Sequence, residues 1–299
     1  MPSPDKKSFI FCVHAHQPVG NFGQVFEEAY EKSYKPFFEV LEAHPAVVIE
    51  EKIEGEEFSL MSLTDGKSLF TFPPVQDHKR AFVDDKGPNT GGMGSYSDAN
   101  FLLPFLTKKD VADAEMITKK MAAALYQETG KLYKGVMYGG FIVAKKGVKL
   151  IEYNARFGDP EAMNVLAVLK NDFVSVCEAV VDGYLDKIKA VFEPMATVCK
   201  YVVPEGYPSN PVKGEKISLK EVPKEAKVYY ASVDKKKDGL YMGTSRAVAF
   251  VGIAATLEEA EVIAEDACSS VVGKVFHRED IGTKELIEKR VRHVKELRK

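Results

Sequence analysis

Two hairpin patterns separated by one long helical pattern constrain the fold of this chain most strongly. Apolar runs at 56–63 and 68–72 flank Thr64-Asp65-Gly66-Lys67, a turn sequence typical of antiparallel strands. Apolar runs on either side of Lys145-Lys146-Gly147 repeat the pattern. Between the hairpins, residues 108–129 have the spacing of an amphipathic helix. Antiparallel pairs mixed with helices predict an α+β fold.

The rest of the chain follows the same reasoning. Apolar and β-branched runs predict further strands at 8–13, 46–51, 196–203, 227–232 and 247–253. Helical spacing predicts helices at 24–43, 161–185, 257–272 and beyond 284. Residues 73–97, rich in Gly, Pro, Asp and Asn, are predicted to be a loop. A boundary near 191–194 divides a body at 46–190 from a smaller mixed-sheet domain at 195–299.

Composition excludes several classes of protein. The chain has 299 residues, of which 45% are hydrophobic, and this favours a globular protein over a disordered one. A net charge of −3 argues against a dedicated nucleic-acid binder. The four cysteines lack metal-binding spacing, and no apolar run is long enough for a membrane span or a signal peptide. We therefore expect a cytoplasmic protein without nucleic-acid or membrane partners.

A candidate metal site lies in the strand-like run at 148–154. Side chains alternate along a strand, so Glu152 and Asn154 point to the same side. One carboxylate and one amide oxygen form part of the oxygen cage that Mg²⁺ takes when phosphates and water supply its other ligands. The run therefore predicts a metal–phosphate site.

Two further stretches could bind phosphate. Gln76-Asp77-His78-Lys79-Arg80 holds three potential cations that could grip phosphates, although a solvated turn has the same composition. Gly87-Pro88-Asn89-Thr90-Gly91-Gly92-Met93-Gly94 could turn backbone N–H groups toward an anion, although flexible turns are also glycine-rich. The second stretch lacks the Gly-Lys-Ser/Thr ending of a P-loop.

Two weaker signals lie near the start of the chain. Glu50-Glu51-Lys52-Ile53 could present its backbone to an adenine edge, with a later carboxylate on the ribose, or could be an acidic edge strand. His14 and His16 have possible metal spacing, but the sequence indicates no third ligand near them.

Read together, these motifs resemble the phosphoribosylamine–glycine ligases of the ATP-grasp superfamily. The resemblance covers about 46–287 and includes Gly206-Tyr207-Pro208 and Arg278-Glu279-Asp280-Ile281-Gly282 downstream. It implies ATP-dependent joining of glycine to 5-phosphoribosylamine through a glycyl phosphate, in purine biosynthesis. It also implies ATP and Mg²⁺ or Mn²⁺ as cofactors, and a monomer or weak oligomer.

The resemblance also implies residue roles. Those implied for the nucleotide are Glu50, Glu51, Lys52, Ile53, Glu57, Arg80, Asn89 and Gly158. Those implied for the metal are Glu152 and Asn154, and those implied for catalysis are Arg156 and Asp77.

The first residues resemble a different family. Residues 8–47, with His14-Ala15-His16-Gln17-Pro18, are similar to the start of family 57 glycoside hydrolases, so 1–45 is interpreted as a foreign strand–helix segment. The ligase pattern then begins at about residue 46, without the family's N-terminal domain and first ATP-grasp segment. The alternatives are a non-catalytic chimaera that binds nucleotide, a plain ATP-binding module and an α-glucan-acting glycosidase.

Overall fold

The computed structural model describes residues 52–299, in which Gly55–Lys299 forms one compact unit. The strands predicted at 8–13 and 46–51 and the helix predicted at 24–43 lie outside the described residues. So do Glu50, Glu51, His14 and His16.

Sixteen strands and five α-helices are described. The strands are β1 (Gly55–Thr64), β2 (Leu69–Thr71), β3 (Gln76–Asp77), β4 (Arg80–Phe82), β5 (Lys86–Asn89), β6 (Gly94–Ser97), β7 (Gly135–Ala144), β8 (Gly147–Asn154), β9 (Ala196–Pro204), β10 (Lys216–Leu219), β11 (Ala226–Tyr230), β12 (Val233–Lys236), β13 (Gly239–Met242), β14 (Val248–Ala254), β15 (Val271–Val272) and β16 (Val275–Phe276). The helices are α1 (Lys108–Thr129), α2 (Glu161–Ala167), α3 (Phe173–Asp182), α4 (Leu257–Ser269) and α5 (Lys284–Leu297). Short 3₁₀ turns occur at Val83–Asp85 and Leu185–Lys187.

The two predicted hairpins are confirmed and form one antiparallel sheet in the order β2-β1-β7-β8. The predicted helix between them is α1. Thr107 and Asp110 cap its start reciprocally, and Gly130 ends it in the left-handed conformation at φ 67°. Among residues 52–299, no helix combines the length and the apolar character that crossing a bilayer requires.

A six-stranded sheet connects the two halves of the described chain. Its order is β11-β14-β9-β6-β3, and β16 also pairs with β9. Strands β3 and β6 precede the boundary predicted at 191–194, whereas the others follow it. The division into 46–190 and 195–299 therefore remains a prediction, and backbone hydrogen bonds join its two parts.

Two regions differ from the sequence prediction. Residues 73–97 contain four strands rather than only loop, because strands of two to four residues pair through their backbones and need no apolar alternation. The helix predicted at 161–185 is two helices, since the Asp172 carboxylate accepts the N–H of Ser175 at 2.8 Å and starts α3 anew.

The first sheet has two different faces. Phe58, Leu60, Phe141 and Val143 lie on an apolar face, and they form a core with residues of α1, α4 and α5. On the opposite face, the register places Ser59 beside Gly140 and Met61 beside Tyr138. This second face carries the candidate site.

Candidate functional site

The predicted Glu152–Asn154 pair lies on the second face of the first sheet, on strand β8. The Asn154 Nδ2 donates a hydrogen bond to the Glu152 Oε1 at 3.1 Å, so the two side chains are adjacent as predicted. Across the sheet, Glu152 pairs with Gly140 and Asn154 pairs with Tyr138. Glu152 is exposed and Asn154 is half-buried, so the pair can be reached from solvent.

A β-bulge directs Glu152 to this face. Phe141 pairs with Leu150 and Gly140 pairs with Glu152, which leaves Ile151 without an opposite residue. Leu150 therefore packs on the apolar core, while Glu152 points to the opposite side. In regular alternation Leu150 and Glu152 would share a face.

The donor set fits a divalent metal that brings its own phosphate ligands. Carboxylate and amide oxygens are hard ligands suited to Mg²⁺. In residues 52–299, no group of three or more Asp, Glu, His or Cys side chains could hold a metal ion. Glu152 and Asn154 could therefore offer a metal one carboxylate and one amide oxygen, and phosphate or water would complete the coordination.

An acidic cluster with one lysine lies on the same side of the sheet. The Lys79 Nζ is 3.6 Å from the Glu57 Oε2 and 4.0 Å from the Asp77 Oδ2. Strand β1 and the segment before β3 are joined by reciprocal backbone bonds between Ser59 and Val75, at 2.7 and 3.0 Å. This pairing brings Asp77 and Lys79 to Glu57.

The charges in this cluster perturb one another. Burial, followed by the negative charge of Glu161, raises the pKa of Asp77 to about 7, although Lys79 opposes the shift. Only 8% of the Asp77 side chain is exposed. Burial alone would lower the pKa of Lys79, but the carboxylates of Asp77, Glu57, Glu152 and Glu161 outweigh it and raise that pKa. Lys79 therefore remains a cation, whereas Asp77 can exchange a proton near neutral pH.

Glu161 is a buried carboxylate that sequence reasoning missed. It accepts hydrogen bonds from the Ser59 Oγ at 3.1 Å and from the Tyr138 hydroxyl. Gly158 makes room for it, because a Cβ at Gly158 would lie 2.5 Å from the Glu161 Oε2. The sequence offers a weak signal, since Glu161 follows the 148–154 run by a few residues and starts the helix predicted at 161–185.

Arg156 lies beside this group. It is exposed, its Nη1 donates to the Phe157 carbonyl at 2.9 Å, and its guanidinium carbon is 6.0 Å from the centre of the Tyr138 ring. Tyr138 therefore lies between Arg156 and the buried Glu161. The geometry leaves the Arg156 charge accessible to an anionic ligand.

The glycine-rich stretch is attached to the Asp77 loop by its backbone. The His78 N–H donates to the Gly94 carbonyl at 2.9 Å, and the Thr90 N–H donates to the Lys79 carbonyl at 2.7 Å. Two motifs that the sequence suggested separately are therefore neighbours.

The prediction that three side chains of the Asp77 loop act as cations is wrong for His78. This residue is 2% exposed, and neither ring nitrogen has a hydrogen-bond partner among the described residues. Burial and the nearby Arg278 charge lower the pKa of His78 to about 3, so the imidazole is neutral.

Arg80 and Asn89 lie on a two-stranded ribbon. They are directly paired across β4 and β5, both are exposed, and the Arg80 Nη1 donates to the Gly87 carbonyl at 2.8 Å. Lys52 is exposed and Ile53 is half-buried, just before β1. Contacts of the predicted adenine residues Glu50 and Glu51 lie outside the described residues.

Comparison with known proteins identifies the family. The model of the phosphoribosylglycinamide synthetase ATP-grasp (A) domain matches residues 24–162, and the model of the C domain of that synthetase matches residues 197–284. A phosphoribosylamine–glycine ligase of Methanocella arvoryzae is 50% identical over 282 residues, which are 94% of this chain and 63% of the relative. The chain therefore spans about three fifths of the length of that relative.

Solved structures agree with the α+β ATP-grasp prediction. The Thermotoga maritima phosphoribosylamine–glycine ligase has a TM-score of 0.69 and 30% identity, covering 78% of this chain and 57% of that one. The biotin carboxylase domain of Hydrogenobacter thermophilus 2-oxoglutarate carboxylase, solved with MgADP, has a TM-score of 0.56 and 16% identity, covering 91% and 58%. At that identity the likeness concerns the fold alone.

The family match corrects one prediction and confirms another. It begins at residue 24, inside the segment compared with glycoside hydrolases, so the predicted start of the ligase region near residue 46 is wrong. These comparisons give the family 57 resemblance no support. The ligase resemblance is confirmed, and the chain belongs to the phosphoribosylglycinamide synthetase family.

Proposed function

We propose that this chain binds ATP with a divalent metal and takes part in joining glycine to 5-phosphoribosylamine. The observation that carries the proposal is the Glu152–Asn154 pair, which lies on the same sheet face as the Lys79, Asp77 and Glu57 cluster. Phosphoryl transfer needs charge neutralisation and positioning more than covalent help, and a metal held at Glu152 and Asn154, together with Lys79, would supply the neutralising charge.

The metal would be held by Glu152 and Asn154. Mg²⁺ or Mn²⁺ at this position would supply neutralisation of phosphate charge. Glu50, Glu51, Lys52 and Ile53 would line the adenine, and Glu57 would bind the ribose hydroxyls. Arg80 and Asn89 would contact the nucleotide from the ribbon, which their exposure permits.

The reacting groups would lie near Arg156 and Gly158. The glycine carboxylate attacks the γ-phosphate, and the amine of 5-phosphoribosylamine then displaces phosphate from the glycyl phosphate. Arg156 balances the negative charge of the transferred group. The attacking amine must lose a proton, and Asp77 accepts it, because its pKa of about 7 allows both protonation states at neutral pH.

The proposal also covers the partners, the compartment and the oligomeric state of the protein. Small molecules are its partners, without nucleic acid or membrane, and it works in the cytoplasm as a monomer or weak oligomer. A family 57 origin for residues 8–47 is not part of the proposal, because the ligase family model starts at residue 24.

Mg²⁺-dependent nucleotide binding tests the metal assignment. Loss of an outer metal partner typically weakens a site by roughly 10–100-fold, so Glu152→Gln, which removes the negative charge of a proposed direct ligand, should weaken Mg·ATP binding at least about tenfold. Isothermal titration calorimetry with and without Mg²⁺ measures this effect. Glu128→Gln, an exposed change on α1, serves as the matched control.

The outcomes separate the possible functions. Binding by Glu152→Gln with unchanged Mg²⁺ dependence would contradict the metal assignment. Mg·ATP binding without consumption of glycine and 5-phosphoribosylamine would favour the nucleotide-binding, non-catalytic alternative over the ligase.

A further inference from the structure

Arg246 joins two loops that the sequence places far apart. Its Nη1 donates to the carbonyl oxygens of Gly91 at 2.9 Å, Gly92 at 3.0 Å and Asp159 at 3.1 Å. Its Nη2 donates to the Asp159 Oδ2 at 2.8 Å. The Arg246 side chain is 14% exposed, whereas the Asp159 side chain is 53% exposed, so the bonds lie at the edge of the contact between the loops.

Tyr201 supports the same arrangement. The Arg246 guanidinium carbon is 4.4 Å from the centre of the Tyr201 ring, within cation–π range. The Tyr201 hydroxyl donates to the Asp159 Oδ1 at 2.8 Å. Both carboxylate oxygens of Asp159 are therefore held, one by Arg246 and one by Tyr201.

The two loops also touch directly. A Cβ at Gly92 would lie 2.6 Å from the Pro160 Cδ, and the φ of Gly92 is +113°, a backbone conformation that favours glycine. The glycine-rich stretch thus packs without a side chain against the segment that carries Gly158 and Glu161. Arg246 holds the side of this contact that faces the C-domain region.

We propose that Arg246 is a positioning residue, which sets the glycine-rich stretch against the segment from Asn154 to Glu161. The inference rests on the proposed function, because these two segments line the proposed metal–phosphate site. Arg246 contributes from the region that matches the C domain, whereas both loops lie in the region that matches the ATP-grasp domain. The C-domain region therefore acts on the reaction through the placement of these loops.

Only an arginine can make this set of bonds. Its planar guanidinium presents several N–H donors in fixed directions, whereas a lysine ammonium is a point charge on a flexible stem. We therefore expect Arg246→Lys to lose the arrangement although it keeps the charge. The exposed Arg292→Lys change on α5 is the matched control.

Hydrogen exchange tests the positioning independently of any activity. In Arg246→Lys and Arg246→Gln, amide exchange at 91–94 and 157–161 should accelerate at least about tenfold relative to wild type, while α1 stays protected. Unchanged exchange at both loops would overturn the inference. If wild-type protein fails to bind Mg·ATP, the proposed function fails, and the exchange result still decides the positioning.

Kinetics distinguish positioning from a merely structural role. Small misplacements of reacting groups cost up to about 100-fold in rate. In the variants we expect kcat per folded molecule to fall by roughly 10–100-fold with the KM for ATP within about threefold. Guanidinium ion added to Arg246→Ala should restore part of kcat. A loss of rate that only follows the loss of folded protein, without rescue, would overturn the inference.

Discussion

The buried carboxyl of Asp77 should make the free energy of unfolding depend on pH, and Asp77→Asn should remove that dependence. Its pKa is about 7 in the folded protein against an ordinary 3.8. At a pH between about 4 and about 7, Asp77 has therefore lost its proton in the unfolded chain but keeps it in the folded protein. The free energy of unfolding therefore falls as pH rises from about 4 to about 7.

The size of the effect follows from the pKa difference. One pH unit corresponds to about 1.4 kcal/mol, so the full difference would be worth about 4 kcal/mol. The Asp77 carboxyl interacts with the charged groups around it, so it does not carry the full effect alone. We therefore expect a contribution on the order of 2–4 kcal/mol. Asp77→Asn, which keeps the shape but cannot ionise, should gain this amount relative to wild type between pH 4 and pH 8.

Urea unfolding followed by far-UV circular dichroism at several pH values measures the difference. Asp186→Asn, a change at an exposed aspartate, is the control and should run parallel to wild type. The reasoning is refuted if the Asp77→Asn and wild-type unfolding free energies also stay parallel within about 0.5 kcal/mol, the range of ordinary surface substitutions.

Two other changes probe the same sheet face. Lys79→Met removes the cation that opposes the raised pKa of Asp77. The decline in unfolding free energy with pH should therefore extend to higher pH in the variant than in wild type. An unchanged pH range of this decline in the urea series would contradict the argument. Gly158→Ala places a Cβ 2.5 Å from the Glu161 Oε2, and we expect a loss of about 1–3 kcal/mol in unfolding free energy, measured in the same urea series. Gly140→Ala is the control, because its Cβ would have its nearest contact at 3.6 Å and its φ is not positive; equal losses in the two variants would contradict the steric argument.

Local patterns in the sequence predicted the local parts of the fold. The two hairpins and α1 follow from turn residues and apolar spacing that act within a few positions of each other. The strands β3 to β6 could not be predicted, because each has only two to four residues and pairs through its backbone without apolar alternation. One partner of β6 is also distant, since β9 lies about 100 residues further along the chain.

The candidate site shows the same limit. The adjacency of Glu152 and Asn154 follows from strand alternation, but the sheet face that they occupy depends on the bulge at Ile151, which has no sequence signal here. Glu161 contacts Ser59 across 102 positions of the sequence, and Arg246 contacts Asp159 across 87. Only the folded chain brings such pairs together.

The six-stranded sheet has a consequence for how genes of this kind can be rearranged. Strand β6, which follows the glycine-rich stretch, has β9 as its inner neighbour, and β9 belongs to the region that matches the C domain. Separating the two matched regions would expose the unpaired backbone donors and acceptors of an edge strand, and such edges promote aggregation. Replacing either region by one from another protein would therefore require a new partner strand for the exposed edge.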